Sequence, residues 1–413
     1  MKIGFDAKRA FHNATGLGNY SRFIIEALLK HCPENEYVAY SPQRNAARSI
    51  VDSQESKVES QESKVESQES RVERRASIAD SQESSVDSGR RSVPQFNVQR
   101  PKSKIQSLFP AFWRSYGIVS QLKSDGIDVY HGLSNELPIG LNKTKIKSVV
   151  TIHDLIFLRY PELYPAIDRF FYKLKFRSSC QNADVIVAVS EQTKRDIIEF
   201  YNVDAQKIKV IYQDCDITFH QKTDSDNLAQ TLQKYGISKP YILSVGTIED
   251  RKNQLSLVKA FYEANLPDAE LVLVGKSTKY QKKIEDFIIE KNLQNRVKIL
   301  NKIPFSDLPA LYQGSKVFAY LSFFEGFGIP IVEALHSGVP VLAATGSCLE
   351  EAGGGGGLYV NPLNINEIAV KLSLLWNDDS LQQTLIQAGK QHVKTLAAAN
   401  IAKQLKAVYE GIV

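Results

Sequence analysis

Short apolar runs rich in β-branched residues alternate with helix-forming segments along this chain, and this alternation constrains its fold more than any other feature. The runs are nearly continuous in apolar residues, as in parallel strands that are covered on both faces. The first half contains KIGFDA, EYVAYS, DVYHGL, KSVVTIHD, DVIVAVS and KIKVIYQ, and the second half contains YILSVGT, ELVLVGK, RVKILNK, KVFAYLS, PVLAAT and GLYVN. Such alternation predicts an α/β fold with parallel sheets.

The chain divides into two arrays of this kind. Its 413 residues exceed what one hydrophobic core normally organises, and the polar segment from Thr218 to Pro240 separates the arrays. We predict two Rossmann-like, doubly wound domains at 1–218 and 240–395 that face a cleft. A C-terminal helix at 396–413 is apolar enough to dock, and the first domain is its candidate surface. Ligands of such folds bind at the carboxyl ends of the strands, so the cleft is the expected site.

Residues 51–93 interrupt the first array with a low-complexity heptapeptide repeat, VDSQESK VESQESK VESQESR. A coiled coil needs two apolar positions in each heptad, but the second of them holds Gln54, Gln61 and Gln68 here. A single valine in each repeat cannot bury enough surface to hold helices together. We therefore predict a disordered loop inserted into the first domain, with a weak helix induced by a partner as the alternative.

Several classes of protein are disfavoured by composition. No apolar run approaches the roughly 20 residues that span a bilayer, and the first residues, MKIGFDAKR, lack the apolar core of a signal peptide. These features predict a cytoplasmic protein. Its four cysteines lie far apart, without a C-x-x-C pair or a histidine cluster, so neither disulfides nor a metal site are expected. The net charge of +5 suits phosphate-bearing ligands or an anionic membrane surface, although it also serves solubility; no nucleic-acid partner is expected.

The segment EGFGIPIVE carries the sharpest local signal. It follows a strand, Gly326 and Gly328 let the backbone approach a ligand, and Pro330 favours the first position of a helix. Glu325 and Glu333 bracket the segment, with Glu333 expected in the first helical turn. Carboxylates and free amides at this place suit sugar hydroxyls and phosphate oxygens. The alternative is that Glu333 only complements the helix dipole and Glu325 is a loop charge.

This segment resembles the Glu, seven residues, Glu motif of the family-4 retaining glycosyltransferases, which have the GT-B fold. VGTIEDRKNQ, from Val245 to Gln254, is similar to the donor-phosphate segment of that family, with Gly246 after a strand and Arg251 and Lys252 as its basic pair. Two adjacent cations beside a strand end can also neutralise a departing diphosphate without a metal. DVYHGLSNELP, TIHD and ADVIVAVSE follow the family in the expected order, so the resemblance covers nearly the whole chain except the repeat.

The resemblance implies that the domain at 1–218 holds the acceptor and that the domain at 240–395 holds the nucleotide-sugar donor. It also implies roles for individual residues. His153 matches the active-site histidine beside the transferred sugar, Glu325 the residue that contacts the sugar hydroxyls, and Glu333 the group that holds the ribose. On the residues alone, a structural role for His153 stays equally open. No metal or other cofactor is expected. The implied catalytic residues are His153, Glu325, Arg251 and Lys252, and the implied donor-binding residues are Gly16, Gly18, Gly246, Arg251, Lys252, Glu325, Gly326, Phe327, Gly328 and Glu333.

The amino-terminal segment NATGLGNYSR resembles the glycine-rich loop of the family, with Gly16 and Gly18 as positions of close approach. Since Ser21 replaces the third glycine of a dinucleotide fingerprint, an NAD enzyme is not expected. Two segments depart from the family. IYQDCDI stands where many relatives have an Asn-Gly turn, and five glycines at 353–357 replace a more varied loop, which we interpret as a linker expansion.

The segment SLFPAFWRSYGIVSQLK has the composition of a membrane-surface anchor, with aromatic and basic residues at Lys102, Lys104, Phe109, Phe112, Trp113 and Arg114. Its position before a predicted strand equally favours a helix whose aromatic face belongs to the core. Both interpretations stay open, and with them a peripheral location at the inner face of the membrane.

These features predict retaining transfer of a hexose from a nucleotide diphosphate sugar to a glycan or lipid-linked acceptor, in surface polysaccharide or glycoconjugate synthesis. The sequence of the segment GTIEDRKN resembles that of the mannosyltransferase-like branch of the family, so GDP-mannose is the first choice of donor. Two alternatives remain: another GT-B enzyme, such as a sugar-nucleotide epimerase or a phosphorylase, and a non-catalytic scaffold that binds sugar nucleotides.

Overall fold

The computed structural model describes residues 1–13, 16–41, 97–99 and 112–413, and the repeat at 51–93 lies outside them. Seven parallel strands form a first sheet: β1 (Lys2–Asp6), β2 (Glu36–Tyr40), β3 (Asn97–Gln99), β4 (Val129–Gly132), β5 (Lys147–Ile152), β6 (Val185–Ala188) and β7 (Ile208–Val210). Their order across the sheet is β3-β2-β1-β4-β5-β6-β7. The inner strands β1, β4, β5 and β6 are buried almost throughout, because helices cover both faces.

A second parallel sheet lies in the C-terminal half of the chain. It contains β8 (Tyr241–Val245), β9 (Glu270–Val274), β10 (Val297–Leu300), β11 (Val317–Tyr320), β12 (Val341–Ala344) and β13 (Gly357–Val360), in the order β10-β9-β8-β11-β12-β13. Both sheets reverse their strand order once, between β1 and β4 and between β8 and β11. These reversals are the points at which doubly wound sheets open a crevice for ligands. The predicted fold of two Rossmann-like domains is thereby confirmed.

Helices connect the strands of both sheets. In the first half they are α1 (Lys8–His12), α2 (Gly16–His31), α3 (Ile118–Ser124), α4 (Ile156–Arg159), α5 (Ala166–Asn182), α6 (Glu191–Tyr201) and α7 (Ser225–Lys234). In the second half they are α8 (Gln254–Glu263), α9 (Gln281–Glu290), α10 (Leu308–Gln313), α11 (Ile329–His336), α12 (Leu349–Gly353), α13 (Ile365–Asn377), α14 (Asp379–Thr395) and α15 (Ala398–Glu410). None of the helices in the described ranges has the length and apolar character needed to cross a lipid bilayer.

Two elements were not foreseen from the sequence. Strand β3 pairs in parallel with β2 at the edge of the first sheet, and three residues are too few to show a hydrophobic period. Helix α7 lies inside the segment that was expected to be a patternless linker. Asp224 caps it by accepting hydrogen bonds from the backbone of Asp226 and Asn227. Its one buried side chain, Thr231, explains why hydrophobic periodicity did not reveal it.

The last helix, α15, returns from the second half of the chain and packs along α2 of the first domain. Tyr409 on α15 is fully buried, and its hydroxyl lies 2.7 Å from Nδ1 of His131 on β4. The other ring nitrogen of His131 lies 2.9 Å from the Thr151 hydroxyl on β5. Helix α15 is thus joined to the first sheet by buried hydrogen-bonding side chains. The domain bounds given above stay a prediction.

Candidate active site between the two domains

The reversal point of the second sheet carries the residues of the predicted donor site. Gly246 follows β8 directly, with φ at +152°, a value that favours glycine. Arg251 and Lys252 lie in a short 3₁₀ turn beyond it, and Glu325 follows the neighbouring strand β11. Because β8 and β11 are adjacent and parallel, their carboxyl ends bring these two segments together although more than seventy residues separate them.

Glu325 holds a fixed position among four partners. Its Oε1 atom lies 2.5 Å from Nζ of Lys252 and 2.9 Å from Nη1 of Arg251. The same oxygen accepts hydrogen bonds from the hydroxyls of Ser322, at 2.5 Å, and Tyr320, at 3.1 Å. Glu249 forms a second ion pair with Arg251, at 2.8 Å. The basic pair is therefore not free in this structure, because two carboxylates balance its two charges.

The electrostatics of this cluster follow from its burial. Burial by itself would raise the pKa of Glu325, but the charges of Lys252 and Arg251 outweigh it and lower that pKa to about 2. Burial lowers the pKa of Lys252, and the negative charge of Glu325 offsets only part of this decrease. Nearby Asp154 has a raised pKa, since it is buried next to the same cluster. Glu325 is therefore a permanent anion at neutral pH and is strongly coupled to the two cations.

His153 follows strand β5 of the first domain, and its backbone carbonyl lies against Gly326 of the second domain, the residue after Glu325. It is 7% exposed, and its Nε2 lies 2.9 Å from the carbonyl oxygen of Leu133. That contact requires a proton on Nε2, which leaves Nδ1 as an acceptor. Burial lowers the pKa of His153 to about 4, and the ring of Tyr20 packs edge-on against it at 4.6 Å between centroids. His153 is consequently a neutral imidazole.

The two domains are in contact at the loop after Glu325. A β-carbon on Gly326 would fall well inside van der Waals contact of the His153 carbonyl oxygen. The Thr193 hydroxyl on α6 lies 3.2 Å from that oxygen and 3.4 Å from the carbonyl oxygen of Gly326. Phe327 is 3% exposed and stacks on Tyr212, which follows β7, at 5.3 Å between ring centroids. Phe327 therefore joins the two domains through its ring.

Glu333 occupies a different place from the one predicted. Helix α11 begins at Ile329, so Glu333 is its fifth residue and lies beyond the first turn, where the helix dipole no longer acts strongly on it. Its side chain is nearly buried and accepts a hydrogen bond of 2.7 Å from the Tyr312 hydroxyl. Burial raises the pKa of Glu333 to about 7. Unlike Glu325, it has no cation to hold its charge among the contacts described.

A cleft of about 1160 Å³ opens between the domains beside Glu333. Helix α2 forms one wall, the linker around Asp214 and helix α11 form the other, and the junction of α14 and α15 closes one end. Gly16 and Glu333 line this cleft. The cluster of Glu325, Arg251 and Lys252 does not, so the structure divides the predicted donor residues between an open cleft and a packed interdomain boundary.

Comparison with known families agrees with this arrangement. The family model described as "Glycosyl transferases group 1" matches residues 229–392, which contain Arg251, Lys252 and both glutamates. The model described as "Glycosyltransferase Family 4" matches residues 76–218, which contain His153. The two matches follow one another along the chain in the order of its two sheets. The chain belongs to the family-4 glycosyltransferases.

Curated relatives of this glycosyltransferase include two O-antigen enzymes. It is 29% identical over 287 residues to the O-antigen chain mannosyltransferase B of Escherichia coli, covering 68% of this chain and 74% of that protein. It is 28% identical over 271 residues to the O-antigen chain mannosyltransferase RfbU of Salmonella typhimurium, covering 64% of this chain and 71% of the relative. Both relatives are thus named as mannosyltransferases.

Solved structures support the GT-B fold. A glycosyltransferase from Rickettsia africae matches this one with a TM-score of 0.70 at 17% identity, covering 100% of this chain and 98% of that one. Anabaena HepE, in complex with UDP and glucose, matches with a TM-score of 0.68 at 18% identity and covers 100% of both chains. At such identities the likeness concerns the fold alone.

The glycine-rich segment at the amino terminus of the glycosyltransferase is not a loop from Gly16 onward. Gly16 and Gly18 are the first and third residues of α2. A β-carbon on Gly18 would collide with the carbonyl groups of Asn13 and Arg9, so this glycine lets α2 approach the end of α1. Gly16 has open space around it and faces the cleft. Only Gly16 is therefore placed where a ligand can reach it.

The two interpretations of the segment before β4 each apply to different residues. Trp113 is fully buried, and the Arg114 side chain forms ion pairs of 3.1 Å with both Asp6 and Glu136. Phe112, in contrast, is 62% exposed. Lys102, Lys104 and Phe109 lie outside the described residues. Trp113 and Arg114 therefore belong to the interior of the first domain and are not available to an anchor.

The five glycines at 353–357 are not a linker expansion. Gly354–Gly356 form a 3₁₀ turn that packs against α14. A β-carbon on Gly356 would lie 2.6 Å from the Cα atom of Gly389 on that helix. The glycines permit close packing of backbone on backbone, which a run of identical residues in the sequence does not reveal.

Several residues that hold the site together were not expected from the sequence. Tyr320 and Ser322 bind Glu325, and Tyr312 binds Glu333. Glu351 on α12 accepts hydrogen bonds from the first two backbone amides of α6, in the other domain. The position of Tyr320 and Ser322, at the end of a predicted strand and just before Glu325, could have indicated that their hydroxyls bind this carboxylate. For Tyr312 and Glu351 the sequence offered none, because their partners lie in other elements.

Proposed function

We propose that this glycosyltransferase moves mannose from GDP-mannose to a glycan or lipid-linked acceptor, with retention of configuration, in the synthesis of a surface polysaccharide or glycoconjugate. The O-antigen mannosyltransferases among its relatives support the choice of sugar and of pathway class. The observation that carries the proposal is the cluster of Glu325, Arg251 and Lys252 at the reversal point of the second sheet. The next residue, Gly326, lies against the backbone carbonyl of His153 in the first domain.

In this proposal the donor diphosphate binds to the basic pair. Arg251 is already oriented, since its Nη1 atom donates a 2.6 Å hydrogen bond to the carbonyl oxygen of Phe324. Phosphate oxygens then compete with Glu325 for Arg251 and Lys252, and charge-assisted hydrogen bonds to a diphosphate carrying more than one charge favour the exchange. As negative charge develops on the leaving diphosphate, the same two cations stabilise it. No metal is assigned a role in this step.

Displacing Glu325 from the cations frees its carboxylate for the hydroxyls of the transferred sugar. The loop of Gly326 and Gly328 keeps this carboxylate next to the first domain, where the acceptor is expected. We assign no enzymic nucleophile. The acceptor attacks the sugar on the same face from which the phosphate departs, and the departing phosphate assists this attack. Such same-face attack accounts for retention of configuration.

Glu333 is proposed to hold the ribose. It lines the cleft, and its ionised form offers two acceptor oxygens to the ribose hydroxyls. His153 is neutral, so its proposed role is to position the sugar through a hydrogen bond at Nδ1 and not to supply charge. Closure of the domains along the boundary of Gly326 and His153 would exclude water, which otherwise competes with the acceptor.

A lipid-linked acceptor at the inner face of the membrane is supported by helix α5. Its first turns are exposed on nearly every side, including the large apolar side chains of Ile167, Phe170, Phe171 and Leu174. Lys173 and Lys175 are interspersed with them. Apolar and basic groups on one exposed helix match an anionic lipid surface.

Flotation with vesicles of anionic lipid tests this membrane association. The double variant Phe170→Ser with Phe171→Ser should no longer float with the vesicles. Vesicle binding that the double variant leaves unchanged would contradict a role of α5.

A nucleotide-sugar panel tests the transfer itself. Purified full-length protein is incubated with GDP-mannose, UDP-glucose, UDP-galactose and UDP-N-acetylglucosamine, each with a lipid-linked glycan extract as acceptor. We expect release of GDP that depends on the acceptor, together with mannose in the product. Release from a UDP-sugar alone would refute the choice of donor. Binding of a donor without turnover over a broad acceptor set would support the scaffold.

A further inference from the structure

Four potential metal ligands meet at the linker between the two domains. Asp214 and Cys215 lie in the linker after β7, His220 ends the 3₁₀ turn Ile217–His220, and His336 is the last residue of α11. One ligand atom of each residue lies within 4.8 Å of all the others. Residues from the linker and from the second domain thus converge on one point, although 122 positions separate Asp214 from His336.

The two imidazoles present their Nε2 atoms to the same carboxylate. His336 Nε2 lies 2.8 Å from Oδ1 of Asp214, and His220 Nε2 lies 3.5 Å from Oδ2. The rings stack at 3.6 Å between centroids with an interplanar angle of 9°. Asp214 and Cys215 are buried, whereas the two histidines are partly exposed toward the cleft. The cluster therefore has a buried floor and a side through which a small ion can enter.

We propose that Asp214, Cys215, His220 and His336 bind one divalent transition-metal ion of the zinc class. Two imidazoles, one thiolate and one carboxylate are a ligand set that suits Zn²⁺ in tetrahedral geometry. Such an ion replaces the hydrogen bonds between Asp214 and the two rings, and it displaces the proton of the Cys215 thiol to solvent. Each ring loses its Nε2 proton, which passes to solvent or is replaced by a proton on Nδ1 of the neutral tautomer. The rings then turn out of their parallel stack so that both Nε2 lone pairs point at the ion.

The ion would act on the domain arrangement and not on the sugar. A site with four protein ligands leaves no open position for a substrate, which is the pattern of a structural metal. His336 lies on the same helix as Glu333, three residues further along. An ion at this point ties the linker to the helix that carries the proposed ribose ligand. This inference does not depend on the proposed sugar or acceptor.

The test uses full-length protein without a histidine tag, stripped with a chelator and dialysed against Zn²⁺ or Co²⁺. We expect one ion per chain and a rise in Tm with ion concentration, since a ligand of the folded state stabilises it by mass action. The Co²⁺ form should show a thiolate-to-metal charge-transfer band. Cys215→Ala should remove this band, and His220→Ala or His336→Ala should weaken Zn²⁺ binding by at least about tenfold.

Matched controls separate the cluster from adventitious binding. His31→Ala removes an exposed histidine that lines the same cleft, and Cys180→Ala removes a buried thiol in the first domain; both should bind Zn²⁺ like the wild type. Near-UV circular dichroism of each chelated variant checks folding. The proposal is overturned if stripped wild-type protein binds less than one ion per chain at micromolar Zn²⁺, or if the cluster variants bind as tightly as the controls.

Discussion

Gly326 of the second domain rests directly on the carbonyl oxygen of His153 in the first, with no room for a side chain between them. Gly326→Ala should therefore hold the domains apart and reduce transfer by about a hundredfold, since displacements of about 1 Å at a reacting centre have such effects. Small-angle scattering should show a larger radius of gyration. Gly355→Ala, whose added methyl group would meet only the Ala388 side chain at 3.3 Å, is the control for backbone effects. Wild-type rate and compactness in Gly326→Ala would contradict the contact.

Glu325→Gln should lower transfer by about a hundredfold or more while the protein stays folded. The amide keeps the shape of the side chain but cannot balance the charges of Arg251 and Lys252. Removing one partner of such a buried cluster also costs stability, up to about 3 kcal/mol, which denaturant unfolding will measure. Glu249→Gln removes only the more exposed ion pair of Arg251 and serves as the control. If the Glu325→Gln enzyme kept wild-type turnover, Glu325 would not be an active-site residue.

Donor binding should weaken as the pH falls below about 7. Burial raises the pKa of Glu333 to about 7, and the protonated group loses an acceptor that the ribose needs. Affinity for the nucleotide sugar, measured by calorimetry, should drop by up to about tenfold for each pH unit below that value. Glu333→Gln should bind more weakly and show a flat profile. A profile that keeps its slope in Glu333→Gln would assign the titration to another group.

The same shift makes a prediction for stability. Since the pKa of Glu333 is higher in the folded protein than in the unfolded chain, its stabilising contribution is complete below about 4.5 and is lost as the pH rises through about 7. Glu333→Gln should thus be more stable than the wild type at pH 8, by up to about 3 kcal/mol. Glu350→Gln, on the exposed side of α12, should show no such gain.

Glu351 joins the domains through the amino terminus of α6. Its carboxylate oxygens lie 2.6 Å and 3.1 Å from the backbone nitrogens of Glu191 and Gln192. Glu351→Ala removes this interdomain contact and should cost about 0.5–2 kcal/mol of stability, with a more open average shape by small-angle scattering. In the neighbouring Glu350, the carboxylate binds Thr345 of its own domain. Glu350→Ala should leave the radius of gyration unchanged, and equal effects of both variants would argue against the contact.

Deleting residues 51–93 should leave transfer largely intact. The repeat has one valine per heptad and no second apolar position, so we expect no contribution to a packed core. Rates of donor turnover and the thermal unfolding of the deleted and full-length proteins test this. Loss of cooperative unfolding on deletion would show that the segment is part of the folded domain.

The sequence alone determined the architecture of this glycosyltransferase. Strands such as KIGFDA, KSVVTIHD and YILSVGT can be recognised in the sequence because a strand covered on both faces is apolar at most positions. The order of these strands then places Arg251, Lys252 and Glu325 near one another, since the carboxyl ends of parallel strands share one edge. Edge strand β3 and helix α7 escaped because neither buries enough side chains to leave a pattern.

The tertiary structure alone decided what these groups contact and which charges they carry. Local sequence cannot show that Glu325 is held by the two cations. Nor can it show that Glu333, eight residues later, has a tyrosine hydroxyl and no cation as its partner within the described part of the chain. It also cannot bring Asp214 next to His336. Such contacts depend on how two sheets and a linker pack against each other, and the pKa of a carboxyl group depends on the burial and the neighbouring charges that this packing creates.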